Sequence, residues 1–470
     1  MLGVPPVKRF LSLLLVQCAL AVSVIAAAPP NIIMIYADDL GYGDLGCYGN
    51  PSIRTPNLDR MAAEGMRFTD FYSAAEVCTP SRAALLTGRY AIRSGMCSDN
   101  YRVLRPRSKG HLPASEVTLP ELLKGRGYAT GMIGKWHLGV WSIDPEGHPM
   151  KHGFDSFFGL PHSNDMDPTP EAPKGPTRWV GQQAAWWNSP LYRDTELIER
   201  PADQSTLTRR YTEEAVHYLG EHKAGPFYLY LAYSFPHVPL FASEGFRGKS
   251  AGGLYGDVVE EIDWSVGQVL ETLRREGMDK NTLVFFSSDN GPWLTMGPAG
   301  GTAGPLRDGK GSTFEGGMRE PGIAWWPGRV PAGQVQREVA TTMDLFTTFA
   351  KLAGAEPPPD RPIDGVDIAP LLLAQGKIER PPFFYYRGEQ LYAVRIGPWK
   401  AHLLTRSAYG PDKAEAHDPP LLYQLGHDPG ERFNVAAEHP EVLAQVAEAV
   451  AKHRAGMVAA PSQLTEVAPP

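Results

Sequence analysis

Residues 31–49 read NIIMIYADDLGYGDLGCYG, and the change of character at Asp38 decides the fold class. Asn31–Ala37 is an uncharged, largely apolar run of seven residues, which predicts a buried strand. Asp38 and Asp39 stand at its C-terminal end, where open α/β sheets bind their ligands. A glycine-punctuated turn, Gly41 to Gly49, follows.

Working outward, the same form recurs. Tyr128–Ile133, Phe227–Ser234 and Leu283–Ser288 read as further buried strands. Helices are expected over Asn57–Glu64 and Arg82–Thr87, introduced by Pro56 and Pro80. Leu207–His222 and Asp257–Glu276 carry helical periodicity. Strands alternating with helices define an α/β domain. Asp144 to Pro201 is rich in Pro, Gly and Trp and reads as irregular loop near the active face. Composition shifts again at Pro357-Pro358-Pro359. Short strands (Phe383–Tyr386, Tyr392–Ile396, Lys400–Leu404) and a helix from Pro440 to Arg454 then predict a smaller α+β domain. The expected division is 1–28 as signal peptide, 29–356 as catalytic α/β domain and 357–470 as C-terminal domain.

The chain has 470 residues, 43% of them hydrophobic, enough for a large core and more than one domain. Its 52 acidic residues against 45 Lys+Arg disfavour non-specific binding to nucleic acid or anionic lipid. Positive charge for an anionic substrate must therefore be concentrated locally. At the N-terminus, Lys8 and Arg9 precede an apolar run, Phe10 to Ile25, and Ala26-Ala27-Ala28 offers a cleavage site. The run is shorter than the ~20 residues of a membrane span, so a signal peptide is expected and no stable membrane anchor. Cys47, Cys78 and Cys97 would remain after cleavage; three cysteines cannot all pair, and whether Cys47 joins Cys97 is open. Asn50-Pro51-Ser52 is blocked by its proline, and no other N-glycosylation acceptor occurs. These features suit a bacterial periplasmic or secreted protein.

Asp38 and Asp39 offer oxygen ligands to a hard cation, although an isolated acid pair serves as often in a turn. Asp289-Asn290-Gly291 ends Leu283–Ser288 in the same way. An oxygen-only set favours calcium or magnesium over zinc, and calcium tolerates the looser shell. Residues 78–89 read CTPSRAALLTGR, a cysteine opening a helix with Arg82 one turn along. A helix N-terminus lowers a thiol pKa and attracts anions, which on this chemistry alone suggests a thiolate.

The string Cys-X-Pro-Ser-Arg followed by Leu-Thr-Gly-Arg resembles the signature of the type I, formylglycine-dependent sulfatases. Asp38–Asp44, Gly134–Gly139, Ser288–Gly291, Gly309–Gly311 and Glu315–Arg319 resemble that family's other blocks, in its order. The chain resembles the family's arylsulfatase A and N-acetylgalactosamine-6-sulfatase branch, and Gly252–Val266, Met343–Phe349 and Asp428–Phe433 are similar to the second of these. The resemblance implies an alkaline-phosphatase-like sandwich with a large central mixed sheet and a smaller C-terminal domain. It implies that a maturation enzyme oxidises Cys78 to formylglycine (3-oxoalanine) before folding. Asp38, Asp39, Asp289 and Asn290 would hold Ca2+. One oxygen of the hydrated aldehyde would attack sulfur, and the second hydroxyl would then expel sulfate. Arg82, Lys135 and Lys310 would supply positive charge. His137 would act as base and His237, with Lys310, as the proton donor to the leaving oxygen. Ser163 would contact the sulfate.

The expected activity is hydrolysis of sulfate monoesters, of sulfated carbohydrates such as N-acetylgalactosamine 6-sulfate and of aryl sulfates in assay. Trp179, Trp186 and Trp187 are candidates for stacking on a sugar. The alternatives are a phosphodiesterase or phosphonate monoester hydrolase of the same fold, or a non-catalytic glycan-binding protein. Gly304 to Lys310 nearly spells a P-loop, but Gly311 replaces the required Ser or Thr and nucleotide binding is rejected.

Overall fold

The computed structural model describes residues 1–3, 29–175, 177–181, 183–409 and 413–468; the expected signal peptide lies almost wholly outside them. Fifteen strands are described: β1 (Asn31–Ala37), β2 (Met66–Tyr72), β3 (Ala129–Lys135), β4 (Ser156–Leu160), β5 (Leu191–Arg193), β6 (Glu196–Glu199), β7 (Phe227–Ala232), β8 (Thr282–Ser288), β9 (Arg319–Trp325), β10 (Gln334–Gln336), β11 (Ala340–Thr341), β12 (Phe383–Arg387), β13 (Gln390–Ile396), β14 (Trp399–Thr405) and β15 (Glu415–Gln424). The first eleven form one mixed sheet in the order β10-β2-β9-β8-β1-β7-β3-β4-β5-β6, with β11 also pairing β2. The last four form a separate antiparallel sheet.

Both faces of β1 are covered, which is why its sequence does not alternate. Ile32, Met34 and Tyr36 join a core with the helices Cys78–Thr87 and Thr342–Leu352 and the second sheet. Ile33, Ile35 and Ala37 join the opposite core, with the helices Pro56–Glu64, Leu207–Glu221 and Gly253–Arg275. β8, β1, β7 and β3 are parallel neighbours, so their C-terminal ends open on one edge of the sheet.

Several elements depart from the sequence reading. The stretch from Asp144 to Pro201 is not loop throughout, since β4, β5 and β6 within it extend the sheet. β2 and β9 escape a periodicity reading because Arg67, Asp70, Arg319 and Glu320 interrupt their apolar pattern. β15 contains Pro419 and Pro420, tolerated because it is an edge strand.

A buried charge cluster joins the two sheets. The Lys400 ammonium, on β14, donates to Thr313 O (2.8 Å) and contacts Glu315 Oε1 (2.9 Å) and Glu431 Oε1 (3.1 Å). His402 Nε2 lies 2.6 Å from the same Glu431 oxygen, and Glu431 Oε2 accepts the Glu315 N–H at 2.6 Å. Arg307 donates to Glu431 O at 3.0 Å. The segment from Arg307 to Arg319, which carries Lys310, is thereby fixed from the second sheet.

Candidate active site

The register aligns Ala37 with Ser288, so Asp38 and Asp289 leave adjacent strand ends side by side, and the Asp289 N–H donates to Ala37 O at 3.1 Å. Asp39 has φ +66°, and its N–H donates to Asp289 Oδ1 at 3.2 Å. That left-handed turn, unusual for a residue with a side chain, brings Asp39 to the same opening as its neighbour. Asn290 Nδ2 donates to Asp39 Oδ1 at 2.7 Å. Asp38, Asp39, Asp289 and Asn290 are all buried.

Cys78 is the first residue of the helix Cys78–Thr87, after an extended Val77, and is 2% exposed. The helix thus starts two residues before Pro80, which a first turn accommodates because its N–H groups have no intrahelical partner. All ten of its residues are buried, which accounts for the small and aliphatic run Ala83 to Leu86. One turn along, the Arg82 guanidinium grips Asp289 Oδ2 through Nε (2.9 Å) and Nη2 (2.8 Å) and donates from Nη1 to Lys135 O (3.0 Å). Lys135, the last residue of β3, places its ammonium 2.6 Å from Asp38 Oδ2. Lys310 reaches both oxygens of Asp39 at 2.8 Å.

Two buried cations, Arg82 and Lys135, and the partly buried Lys310 therefore surround Cys78 and the acid pair. Burial pushes the Cys78 thiol up to about 12 against Lys135 and Lys310, so the thiolate suggested by the helix terminus does not form. For Asp38, burial acts upward, but Lys135, His237 and Arg82 outweigh it and keep the carboxyl below its usual range. Burial and the neighbouring Asp38 charge push Asp289 upward. Each of the three carboxylates is thus paired with a side-chain cation, and crowding shows in the upward push on Asp289.

His137 has its ring buried, with Nε2 2.9 Å from Leu104 O and Nδ1 without a partner. Facing a carbonyl, Nε2 carries the proton, which leaves the Nδ1 lone pair free. Burial and Lys135 hold this imidazole well below its normal pKa, hence neutral. His237 Nδ1 donates to Val238 O (2.5 Å), which turns Nε2 toward Asp39 Oδ2 at 3.6 Å. One ligand atom each from Asp38, Asp39, Cys78 and His237 lie within 4.8 Å of one another. Ser163 is buried on the loop after β4, but among the described residues no hydrogen bond links it to the others. Cys47, Cys78 and Cys97 are all unpaired.

Sequence reasoning missed neighbours that chain crossings bring in. Trp293 lies under the Lys310 ammonium (4.5 Å to the ring) and beside the His237 ring (5.4 Å). Trp179 packs on Trp293 at 5.8 Å and donates to Asp165 Oδ2 at 2.9 Å. Trp187, by contrast, is buried at 1% exposure and unavailable for stacking. Glu320 is wholly buried, and neither of its carboxylate oxygens has a hydrogen-bond partner. Trp179 is a stacking candidate from sequence alone; of the others, Trp293 carried a signal, standing two residues after Gly291 in the second acidic block.

A profile of the family described as Sulfatase matches residues 30–355. The chain belongs to the sulfatase family. A second profile, the C-terminal region of aryl-sulfatase, matches residues 378–469. Among the sulfatases, N-acetylgalactosamine-6-sulfatase of Mus musculus is 44% identical over 96% of this chain and 91% of its own length. Arylsulfatase A of Bos taurus is 43% identical over 95% and 93%. The PsFucS1 sulfatase from Pseudoalteromonas sp. superposes with a TM-score of 0.79 at 29% identity, covering 94% of this chain and 92% of that one. Ps i-CgsB, solved in complex with k-i-k-neocarrahexaose, gives 0.74 at 32% identity, with 90% and 92% covered. A phosphonate monoester hydrolase of Agrobacterium radiobacter, at 22% identity and a TM-score of 0.61, shares the fold alone. The fold is the alkaline-phosphatase-like one of the sulfatases, and the protein is a sulfuric ester hydrolase. No helix among the described residues is long and apolar enough to cross a membrane.

Proposed function

We propose that the chain hydrolyses sulfate monoesters of carbohydrates, with formylglycine made from Cys78 as the nucleophile and calcium held by Asp38, Asp39, Asp289 and Asn290. The observation that carries this reading is a pair of buried oxygens, Asp38 Oδ1 and Asn290 Oδ1, left without hydrogen-bond partners beside Cys78. Orphaned buried acceptors in an oxygen-only donor set fit a hard cation. When bound, the calcium supplies charge for the sulfuryl oxygens, and the hydrated aldehyde supplies a nucleophilic oxygen with a second hydroxyl for release.

The chain's own residues do the remainder. Arg82, locked on Asp289 and Lys135 O, presents a fixed cation to residue 78. Lys135 and Lys310 neutralise the acid pair and face the space in which a sulfate would sit. The free Nδ1 of His137 accepts a proton when the sulfated enzyme collapses. His237 and Lys310, both against Trp293, deliver a proton to the leaving oxygen. Ser163 contacts the sulfate. The 44% identity to N-acetylgalactosamine-6-sulfatase supports a sulfated carbohydrate and a role in glycosaminoglycan degradation. Residues 29–356 act as the catalytic domain and 357–470 as the C-terminal one, after export to the periplasm or medium and removal of residues 1–28.

The test pairs mass spectrometry of the Cys78 peptide, from protein made beside a maturation enzyme, with p-nitrophenyl sulfate turnover. The aldehyde mass, with calcium-dependent sulfate release abolished by Cys78→Ala, is expected. An unmodified thiol with full activity refutes the reading.

A further inference from the structure

Net charge is −7, yet a cleft of about 660 Å³ where the two sheets meet is lined by five arginines: Arg67, Arg319, Arg337, Arg380 and Arg395. The carboxylates lining it are Asp70 and Glu338. No residue of the candidate active site takes part. Arg67 is the second residue of β2, and the opposite end of that strand leads toward Cys78.

The floor arginines are paired, and the unmatched positive charge of the cleft lies at its rim. Arg319 (3.1 Å) and Arg395 (2.7 Å) converge on the single carboxylate of Asp70, while Arg319 also reaches Glu315 at 3.3 Å. Arg380 pairs with Asp344 at 2.5 Å, but its Nε is buried without a partner. At the rim, Arg67 lies over the Tyr48 ring at 5.2 Å and Arg337 is exposed. Among the described residues neither of these two is in an ion pair.

Guanidinium groups bind sulfate and carboxylate through paired N–H donors, and more strongly where water is partly excluded. Val335, on the lining, is 46% exposed and supplies an apolar wall, whereas the lining Phe383 and Leu425 are buried. An apolar wall beside a cationic rim suits a ring that carries anionic substituents. The volume lies in the range of small-ligand pockets, larger than a lone sulfate fills.

We infer that this cleft is a second binding site, taking the anionic groups of a sulfated oligosaccharide and holding a part of the chain other than the one being cleaved. The ligand class rests on the carbohydrate sulfatase reading above; the site itself does not.

The test uses a fluorescein-labelled chondroitin 6-sulfate hexasaccharide and the full chain. Arg67→Ala/Arg337→Ala removes two cations that are in no ion pair among the described residues, and Arg337→Glu, at an exposed position, is the second variant. Anisotropy at low ionic strength is expected to show about tenfold weaker binding in the double variant. KM for the hexasaccharide rises by a similar factor, while kcat/KM for p-nitrophenyl sulfate is unchanged. Unaltered affinity in both variants overturns the inference. So does inorganic sulfate competing as well as the hexasaccharide at matched ionic strength, which would mark a site for a free anion. A parallel fall in p-nitrophenyl sulfate turnover overturns it too, since the effect would then pass through the catalytic cluster. If the wild type releases no sulfate from either substrate, the active-site reading fails, and the anisotropy comparison still decides the cleft.

Discussion

Lys400→Met removes a buried lysine at the junction of the two sheets while keeping most of its volume. The Lys400 ammonium is fully buried and reaches Glu315 Oε1 (2.9 Å), Glu431 Oε1 (3.1 Å) and Thr313 O (2.8 Å), with the Tyr385 ring at 4.1 Å. Without it, Glu315 keeps Arg319 at 3.3 Å, and Glu431 keeps His402. Two buried carboxylates then share less cationic charge than they need. Breaking a buried pair in this way costs about 3–5 kcal/mol. An unfolding entropy of roughly 2.1 cal/mol/K per residue comes to about 1 kcal/mol/K for a chain of this size. The expected fall in Tm is therefore about 3–5 °C by calorimetry near neutral pH. The pH dependence supplies a second check. Burial would raise the Glu315 carboxyl, but Lys400, Arg319 and Arg395 hold it at about 2. A depressed acid contributes stability that is complete above its unfolded value of about 4.5 and is lost as pH falls toward 2. The variant forfeits part of that contribution, so its deficit should be largest above about pH 5 and shrink on acidification. A Tm within a degree of wild type, or a deficit that grows as pH falls, would refute the reasoning.

Three other outcomes are expected. Asp38→Asn leaves Lys135 without its 2.6 Å partner and one fewer charge for a cation; calcium affinity by titration calorimetry should fall at least tenfold, and excess calcium should restore part of the sulfate release. Glu320→Gln should change thermal stability in chelator by less than about 1 kcal/mol, because burial, with Asp289, Asp39 and Asp44 nearby, already keeps that carboxyl protonated; a loss of 3 kcal/mol would mean that it is ionised. Gly88 ends the Cys78 helix at φ +68°, where an added Cβ would meet Phe346 Cδ1 at 2.5 Å, so Gly88→Ala should lower denaturant stability by about 1–3 kcal/mol, and an unchanged midpoint would count against the packing described.

What the sequence made legible follows from how the sheet is covered. β1 and β8 lie in its middle with helices or the second sheet on both faces, so each is an apolar run stopped by acids. Those acids sit side by side because the register sets Ala37 beside Ser288. β2 and β9 were opaque for the opposite reason: Asp70 and Arg319 satisfy each other, a pairing 249 residues apart in sequence that no local pattern displays. The same holds for Asp165, which meets Trp179 through a loop, and for Glu320, whose burial beside the acid cluster depends on β9 lying against β8. The Cys78 thiol shows the limit of a local rule. A helix terminus lowers a thiol pKa where water is near, whereas here desolvation is the larger effect.

The burial of that helix also sets a clock. Cys78 is 2% exposed, and every residue from Cys78 to Thr87 is covered by protein. An enzyme that must close around the cysteine and several flanking residues has access only until the helix docks. On the formylglycine reading proposed above, conversion of Cys78 would compete with folding, and a molecule that folded first would be lost to it unless it unfolded. The fraction of active protein in a preparation would then be set by two competing rates, before the native state exists. Slower folding would raise that fraction, so a stabilising substitution that speeds docking of this helix could lower specific activity without touching the site.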